Sequence, residues 1–202
     1  MSFLRIRSPR CPVWPSLCLL AAVLLAGPDA LAQPAGPFAT LEVAAGGSTD
    51  VARSLVDTYW EQGYGAELSV TTPFYAGTAE LGGALHRFDA RTADVPRFDA
   101  VAVFAGWGVE LHPVRWAGWY NGVRIGNYRM SFDDDTFAGV RNESELLVGL
   151  HSRIDLELGG WTVFGGVTLQ QVYTFIRMRS VHVGGGLRYR MRAPGWLQEV
   201  LR

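Results

Sequence analysis

A long alternation of apolar and polar residues is the feature that most limits what this chain can fold into. In residues 145–158, aliphatic side chains occupy nearly every second position, and charged or polar side chains occupy most positions between them. Successive side chains of a strand point to opposite faces of its sheet, so this pattern predicts a two-faced β-strand. The same alternation recurs in residues 98–112 and 181–192. It indicates an all-β chain.

The alternating stretches predict eight strands. They cover residues 38–46, 64–73, 76–88, 98–112, 115–132, 144–158, 161–174 and 180–192. Several of them are longer than the five or six residues that are typical of globular strands. A tilted strand needs about 9–11 residues to cross a bilayer, so these strands are long enough to do so.

The connections between the predicted strands alternate in length. Those after the second, fourth and sixth strands are short, whereas those after the other strands are longer and cover residues 47–63, 89–97, 133–143 and 175–179. Short turns at one end and long loops at the other are typical of membrane barrels. We therefore predict an eight-stranded, antiparallel, up-and-down transmembrane β-barrel with short periplasmic turns.

Residues 1–32 have the three parts of a secretion signal. Arginines in the first ten residues precede an apolar stretch at 17–27, and Ala-Leu-Ala at 30–32 fits a cleavage site before Gln33. The apolar stretch is too short for the roughly 20 residues that a membrane-spanning helix needs. We expect a cleaved signal at 1–32, a barrel domain at 33–192 and an amphipathic tail at 193–202.

Charge and cysteine content exclude several functions. The chain has 18 arginines, no lysine and 19 acidic residues, for a net charge of −1. Removing residues 1–32 takes away three arginines and one aspartate, which leaves 15 basic against 18 acidic residues, a net charge of −3. We therefore predict no nucleic-acid partner. Cys11 and Cys18 both lie in the signal, so the remaining chain offers no disulfide and no thiol chemistry.

Aromatic residues gather toward both ends of the predicted strands, as in the interfacial girdles of membrane barrels. We assign to the girdle Trp107, Trp116, Trp119, Trp161, Tyr64, Tyr173 and Tyr189. Other aromatic residues near the long-loop end are Tyr59, Trp60, Phe98, Phe132, Phe137 and Phe175.

The strand face opposite the aliphatic residues is rich in glycine and alanine and carries isolated charges. The interior of an eight-stranded barrel is only just wide enough to hold side chains, so it requires small residues and paired charges. Arginine suits such a place because it is always charged and binds carboxylates bidentately. We predict an interior ion-pair network of Glu42, Glu67, Glu80, Glu110, Arg124, His151, Arg153, Asp155, Arg188 and Arg190.

With these features the chain resembles the small eight-stranded outer-membrane barrels, such as the barrel domain of outer membrane protein A and its OmpX-like relatives. The resemblance covers about residues 38–192 and rests on the strand and turn pattern. It implies a monomer in the bacterial outer membrane, in contact with outer-membrane lipids and inserted by the barrel-assembly machinery. It also implies a structural or surface-interaction role, with a surface partner bound through the long loops, and neither enzymatic activity nor a cofactor.

Two other functions stay open at this point. A charged interior could form a narrow, ion-selective pore. Alternatively, the chain could be a soluble, lipocalin-like carrier of a hydrophobic ligand, with its apolar face inward. The carrier would have a hollow lined by Leu146, Val148, Leu150, Val181 and Val183.

We predict no catalytic residues and no metal site. His151 and Ser152 are adjacent, and adjacent residues of a strand point to opposite faces, so they cannot form a hydrogen-bonded dyad. This argues against a lipid-modifying barrel enzyme, which would need a catalytic set at the outer rim. The three aspartates at 133–135 are expected to be a solvated loop rather than a divalent-cation site.

Two segments depart from the strand pattern. In residues 49–61, apolar side chains recur at helical spacing after Thr49 or Asp50, either of which could cap a helix. We predict a short helix here, in the first long loop. In the tail, Trp196, Leu197, Val200 and Leu201 share one helical face, which predicts an interfacial or capping helix.

Overall fold

The computed structural model describes residues 37–51, 56–134, 141–174 and 178–200 and shows a closed barrel of eight antiparallel strands. Each strand pairs with its neighbours in chain order, and β1 pairs with β8 to close the barrel. The predicted eight-stranded, up-and-down barrel is confirmed. The strands are β1 (Thr40–Asp50), β2 (Trp60–Phe74), β3 (Gly77–Ala90), β4 (Phe98–Val114), β5 (Ala117–Phe132), β6 (Asn142–Leu158), β7 (Trp161–Val172) and β8 (Met178–Arg192).

Most of the strands are longer than the side-chain alternation predicts. The largest extensions are at the long-loop end, where Trp60 pairs with Ala90 and lengthens both β2 and β3. The register of β2 against β3 shifts between Gln62 and Tyr64, so alternation across this β-bulge does not keep its phase. Backbone pairing therefore continues through positions where the side-chain pattern is interrupted.

At the other end of the barrel, each of the three short connections has two residues. They join β2 to β3, β4 to β5 and β6 to β7. Gly159, in the last of these turns, has a φ of +69°, a conformation that glycine adopts without the steric cost of a Cβ atom. Such tight turns hold neighbouring strands in a fixed register.

Of the predicted helix at 49–61, the described residues include α1 (Val56–Tyr59), and Trp60 already belongs to β2. Residues 52–55 lie outside the described residues. The predicted caps are wrong, because Thr49 and Asp50 are the last residues of β1 and pair with β8. Pairing with β8 satisfies the backbone there and overrides the local helical spacing.

A second short helix, α2 (Gly195–Val200), follows β8. None of the helices in the described ranges is both long and apolar enough to cross a membrane. Some predictions fall outside the described residues: the signal at 1–32, and the side chains of Leu55, Asp135, Phe137, Phe175, Leu197, Val200 and Leu201.

The aliphatic face of the strands points out of the barrel, and the small or charged face points in. Leu150 on β6 and Leu187 on β8 are 56% and 52% exposed on the outer surface. Asp155 and Arg188 on the same strands are buried inside, with 1% and 2% exposure. The apolar hollow expected of a carrier is wrong for this barrel, since its lining residues face outward: Leu146, Val148, Leu150, Val181 and Val183.

Inside the barrel, large aromatic rings lie over glycines. A Cβ added at Gly82 would fall 2.7 Å from the ring of Phe104, and one at Gly122 would fall 2.5 Å from the hydroxyl of Tyr120. A Cβ at Gly186 would fall 2.8 Å from the ring of Phe164. Small and large residues must alternate in an interior this narrow, so the inward glycines make the room that the rings occupy.

Two adjacent glycines of β7 allow a matched test of this packing. A Cβ at the inward Gly166 would lie 2.5 Å from the backbone oxygen of Ser152 and 2.7 Å from Cβ of Arg153. At the outward Gly165, the nearest atom would be 3.8 Å away. We expect Gly166→Ala to lower the free energy of unfolding by about 1–3 kcal/mol through overpacking. Gly165→Ala should leave it unchanged or raise it slightly. Urea unfolding of the refolded barrel in detergent measures both, and equal effects would contradict the packing described here.

Candidate functional site

The barrel interior is the candidate functional site, and it is filled at three levels. From the short-turn end upward these are a layer of ion pairs, a small cavity lined by histidines and glycines, and an apolar cluster below the long loops. Inward positions of all eight strands contribute to these levels.

Arg124 of β5 is the centre of the first group of ion pairs. Its Nε and Nη2 atoms donate to the carboxylate of Glu80 at 2.9 and 2.8 Å. Its Nη1 and Nη2 atoms donate to the carboxylate of Glu67 at 3.1 and 2.8 Å. One guanidinium thus holds two carboxylates bidentately and ties β5 to β2 and β3, across the barrel interior.

Arg188 of β8 is the centre of the second group. Its Nη1 donates to Glu42 at 2.7 Å, and its Nη2 lies 2.7 Å from Oδ1 of Asp155. Arg153 donates to the other oxygen of Asp155 at 3.1 Å. Arg190 donates to Glu42 at 2.5 Å. Each of the two carboxylates in this group is therefore shared between two arginines.

Aromatic rings support these arginines from within the barrel. The guanidinium carbon of Arg124 lies 4.3 Å from the ring centroid of Phe104, and that of Arg153 lies 4.3 Å from the ring centroid of Tyr120. A cation over a ring face is attracted by the ring quadrupole, most strongly where water is excluded. The rings therefore pack against glycines, and the guanidinium groups pack against the rings. The carboxylates accept hydrogen bonds from the guanidinium nitrogens.

Two of the residues predicted for the network, Glu110 and His151, have other surroundings, and Arg190 is a member at its edge. Oε1 of Glu110 lies 3.6 Å from Nε2 of His112. Nδ1 of His151 is 2.8 Å from the hydroxyl of Thr168, and this histidine is not part of an ion pair in the described structure. Arg190 lies at the short-turn mouth, where its side chain is 45% exposed.

Sequence reasoning missed two members of the lower layer. Glu157 of β6 lies 3.3 Å from Nη2 of Arg190 and 3.7 Å from Nε2 of His112. Glu157 has the same parity on β6 as Arg153 and Asp155, which is the signal that could have found it. The alternation places His112 at a strand end, whereas in the structure β4 extends further and keeps this residue within the barrel wall.

Above the ion pairs lies a cavity of about 50 Å³. Three buried histidines, His86, His151 and His182, are part of its wall. The rings of His86 and His182 stack with centroids 4.9 Å apart and planes 14° apart. The cavity has room for a few water molecules, which buried imidazole nitrogens can bind.

An apolar cluster closes the barrel at the long-loop end. Phe88 and Phe98 stack with centroids 4.5 Å apart, and Trp60 meets Phe98 edge-on at 5.4 Å. The indole nitrogen of Trp60 donates to the backbone oxygen of Pro96 at 2.6 Å, which ties the β3–β4 loop to the mouth of the barrel. The placement of Trp60, Phe98 and Phe132 with the outer aromatic residues is therefore wrong, since all three pack into this inward cluster.

The seven residues predicted for the girdle lie on the outer surface or at its ends. Six are 42–63% exposed: Trp107, Trp116, Trp161, Tyr64, Tyr173 and Tyr189. Trp119 is less exposed, and its indole nitrogen donates to the hydroxyl of Ser152 at 3.0 Å on the outer face. This bond gives a partner to Ser152, the single polar residue in the aliphatic row from Leu146 to Leu158.

The residues weighed for chemistry are separated in the structure. Ser152 faces outward toward Trp119, whereas His151 faces Thr168 inside the barrel. Asp133 accepts a hydrogen bond from Arg97 at 2.6 Å. Within the described part of the chain, no group of three or more histidine, cysteine or acidic residues is placed to hold a metal ion.

Comparison with solved structures finds small outer-membrane barrels. The crystal structure of Neisserial surface protein A matches with a TM-score of 0.53 and 13% identity, over 77% of this chain and 97% of that one. The Ail protein of Yersinia pestis matches with a TM-score of 0.47 and 12% identity, over 76% and 97% of the two chains. The N-terminal barrel domain of Pseudomonas aeruginosa OprF matches with a TM-score of 0.46 and 12% identity, over 77% and 100%.

The likeness to Neisserial surface protein A shows that this chain has the fold of the small eight-stranded outer-membrane barrels. The sequence matches no protein-family model and no curated protein sequence.

The geometry predicts that Arg124 contributes strongly to stability. Arg124→Met would leave the carboxylates of Glu67 and Glu80 without their guanidinium, and removing one partner of a buried ion pair costs about 3–5 kcal/mol. Arg97→Met, which breaks the exposed pair with Asp133, is the matched control and should shift the unfolding midpoint little. Urea unfolding followed by tryptophan fluorescence makes the comparison. Equal shifts for the two variants would show that the interior ion pairs contribute no more to the free energy of unfolding than the exposed pair does.

Proposed function

We propose that this protein resides as a monomer in the bacterial outer membrane, where its barrel spans the bilayer with a sealed interior. Its role is structural or surface-interacting, and it involves no catalysis. The observation that carries the proposal is the polarity of the wall, which is aliphatic outside and charged inside. In this proposal, residues 1–32 direct export, the barrel-assembly machinery inserts the strands, and the long loops meet surface partners.

The outer surface is the main support for a membrane location. Large apolar side chains that are more than half exposed lie on most strands, including Leu68, Leu81, Leu85, Val103, Ile125, Leu150, Ile154 and Leu187. Contiguous apolar surface beyond a few hundred Å² promotes association in water. A bilayer provides the apolar surroundings that this surface needs, and closure of the barrel leaves no unpaired strand edge in lipid.

The filled interior favours a sealed barrel over a pore. Side chains of Arg124, Arg153 and Arg188 are at least 95% buried between carboxylates and aromatic rings. Above them, the cavity of about 50 Å³ ends at the cluster around Phe98. A conducting pathway would have to part both the ion pairs and the apolar cluster.

Cell fractionation with a heat-modifiability gel tests the membrane location. The full chain, expressed with residues 1–32, is expected in the outer-membrane fraction, with different gel mobility before and after boiling. Closed membrane barrels resist detergent until heated because every strand is paired. Recovery in the soluble periplasm, with no mobility shift, would contradict the proposal.

Conductance in planar bilayers separates the sealed barrel from a narrow pore. We expect no defined channel from the wild-type protein. Arg153→Ala should lower stability, because it removes a partner of Asp155 and a cation over Tyr120, without creating or changing conductance. Unit channels whose ion selectivity changes in Arg153→Ala would instead favour the pore.

A further inference from the structure

The outer wall has a groove at the long-loop end of β6, β7 and β8. Its volume is about 320 Å³, at the lower end of the range for pockets that bind small ligands. Two rows of cross-strand neighbours run through it. One row is Leu150, Leu169 and Val181, and the row nearer the loops is Val148, Gln171 and Arg179.

The two rows differ in chemistry. The lower row is wholly aliphatic, whereas the upper row brings an amide and a guanidinium to the same groove. Tyr173 stands next to them, and its ring is 42% exposed. Tyrosine is favoured where an apolar environment meets a polar one. The groove therefore passes from an apolar part to a polar part in the direction of the long loops.

Arg179 is the charged side chain in the wall of this groove. Its Nε donates to Oε1 of Gln171 at 3.2 Å, which fixes the guanidinium beside the groove. No carboxylate of the described residues forms an ion pair with it, unlike Arg97 and Arg190. The planar guanidinium fork matches the oxygens of a phosphate. The positive charge of Arg179, at the polar end of an otherwise apolar groove, complements a molecule with an acyl chain and an anionic head group.

We propose that this groove binds one phosphate-bearing lipid of the outer leaflet. An acyl chain lies along Leu150, Leu169 and Val181, and a phosphate oxygen accepts hydrogen bonds from Arg179. The inference rests on the proposed function, because it needs the barrel to span the membrane with its long loops outward. It goes beyond general lipid contact by naming one site and one head-group chemistry.

Native mass spectrometry of the purified barrel in mild detergent tests the proposal with lipid A as the probe. We expect a one-to-one adduct with lipid A and a much weaker adduct with phosphatidylcholine at the same concentration. Arg179→Gln should weaken the lipid A adduct about tenfold, since it removes charge-assisted hydrogen bonds. Leu169→Trp, which fills the apolar part, should also weaken it.

Arg129→Gln is the matched control, because Arg129 is an exposed arginine of β5 that does not line the groove. It should bind lipid A as the wild type does. Equal lipid A adducts for Arg179→Gln and the wild type, or equal adducts with lipid A and phosphatidylcholine, would overturn the inference.

Heat-modifiability of each variant is measured first, to establish that the barrel is folded. If the wild type fails that step, the proposed function fails too. If it passes and binds no lipid A, only the lipid site is wrong.

Discussion

Pairing of arginine with carboxylates inside a narrow barrel is the interaction on which the rest of this structure depends. Arg188 joins Glu42 of β1 to Asp155 of β6, and Arg124 joins β5 to Glu67 and Glu80 of β2 and β3. These charges are taken out of water, so each must have its partner within hydrogen-bond distance. Their positions fix which face of every strand points inward, and the aliphatic face must then point outward.

The glycines and aromatic rings follow from the same constraint. An eight-stranded barrel leaves little interior width, and four arginines with their carboxylates occupy much of it. Rings such as Phe104 and Tyr120 fill the space beside the guanidinium groups, and glycines on neighbouring strands make room for the rings. The apolar cluster around Phe98 then covers the long-loop end. A filled interior and an aliphatic exterior are two consequences of one arrangement.

Alternation predicted the architecture because it reports directly which side chains share a face. It put Glu42, Arg124 and Arg188 on one face, and the structure has all three inside. It could not supply partners, since those depend on register across strands distant in sequence. Glu110, for example, lies beside His112 and forms no ion pair with an arginine of the described residues. Local spacing failed at Asp50, where pairing with β8 outweighs helical periodicity. It also could not show that Trp60 turns inward, because a β-bulge lies between Trp60 and the regular part of β2. Phe98, in contrast, shares the inward parity of Ala102 and Phe104 on β4.

Single-cysteine labelling of the folded protein in a bilayer tests the polarity of the wall most directly. With Cys11 and Cys18 replaced by serine, one variant carries Leu150→Cys on the outward face and another carries Thr168→Cys on the inward face. We expect spin-labelled lipid chains to quench a fluorophore at position 150 but not one at position 168. Quenching at position 168 but not at position 150, or rapid reaction of the Leu150→Cys thiol with a membrane-impermeant maleimide, would contradict this expectation.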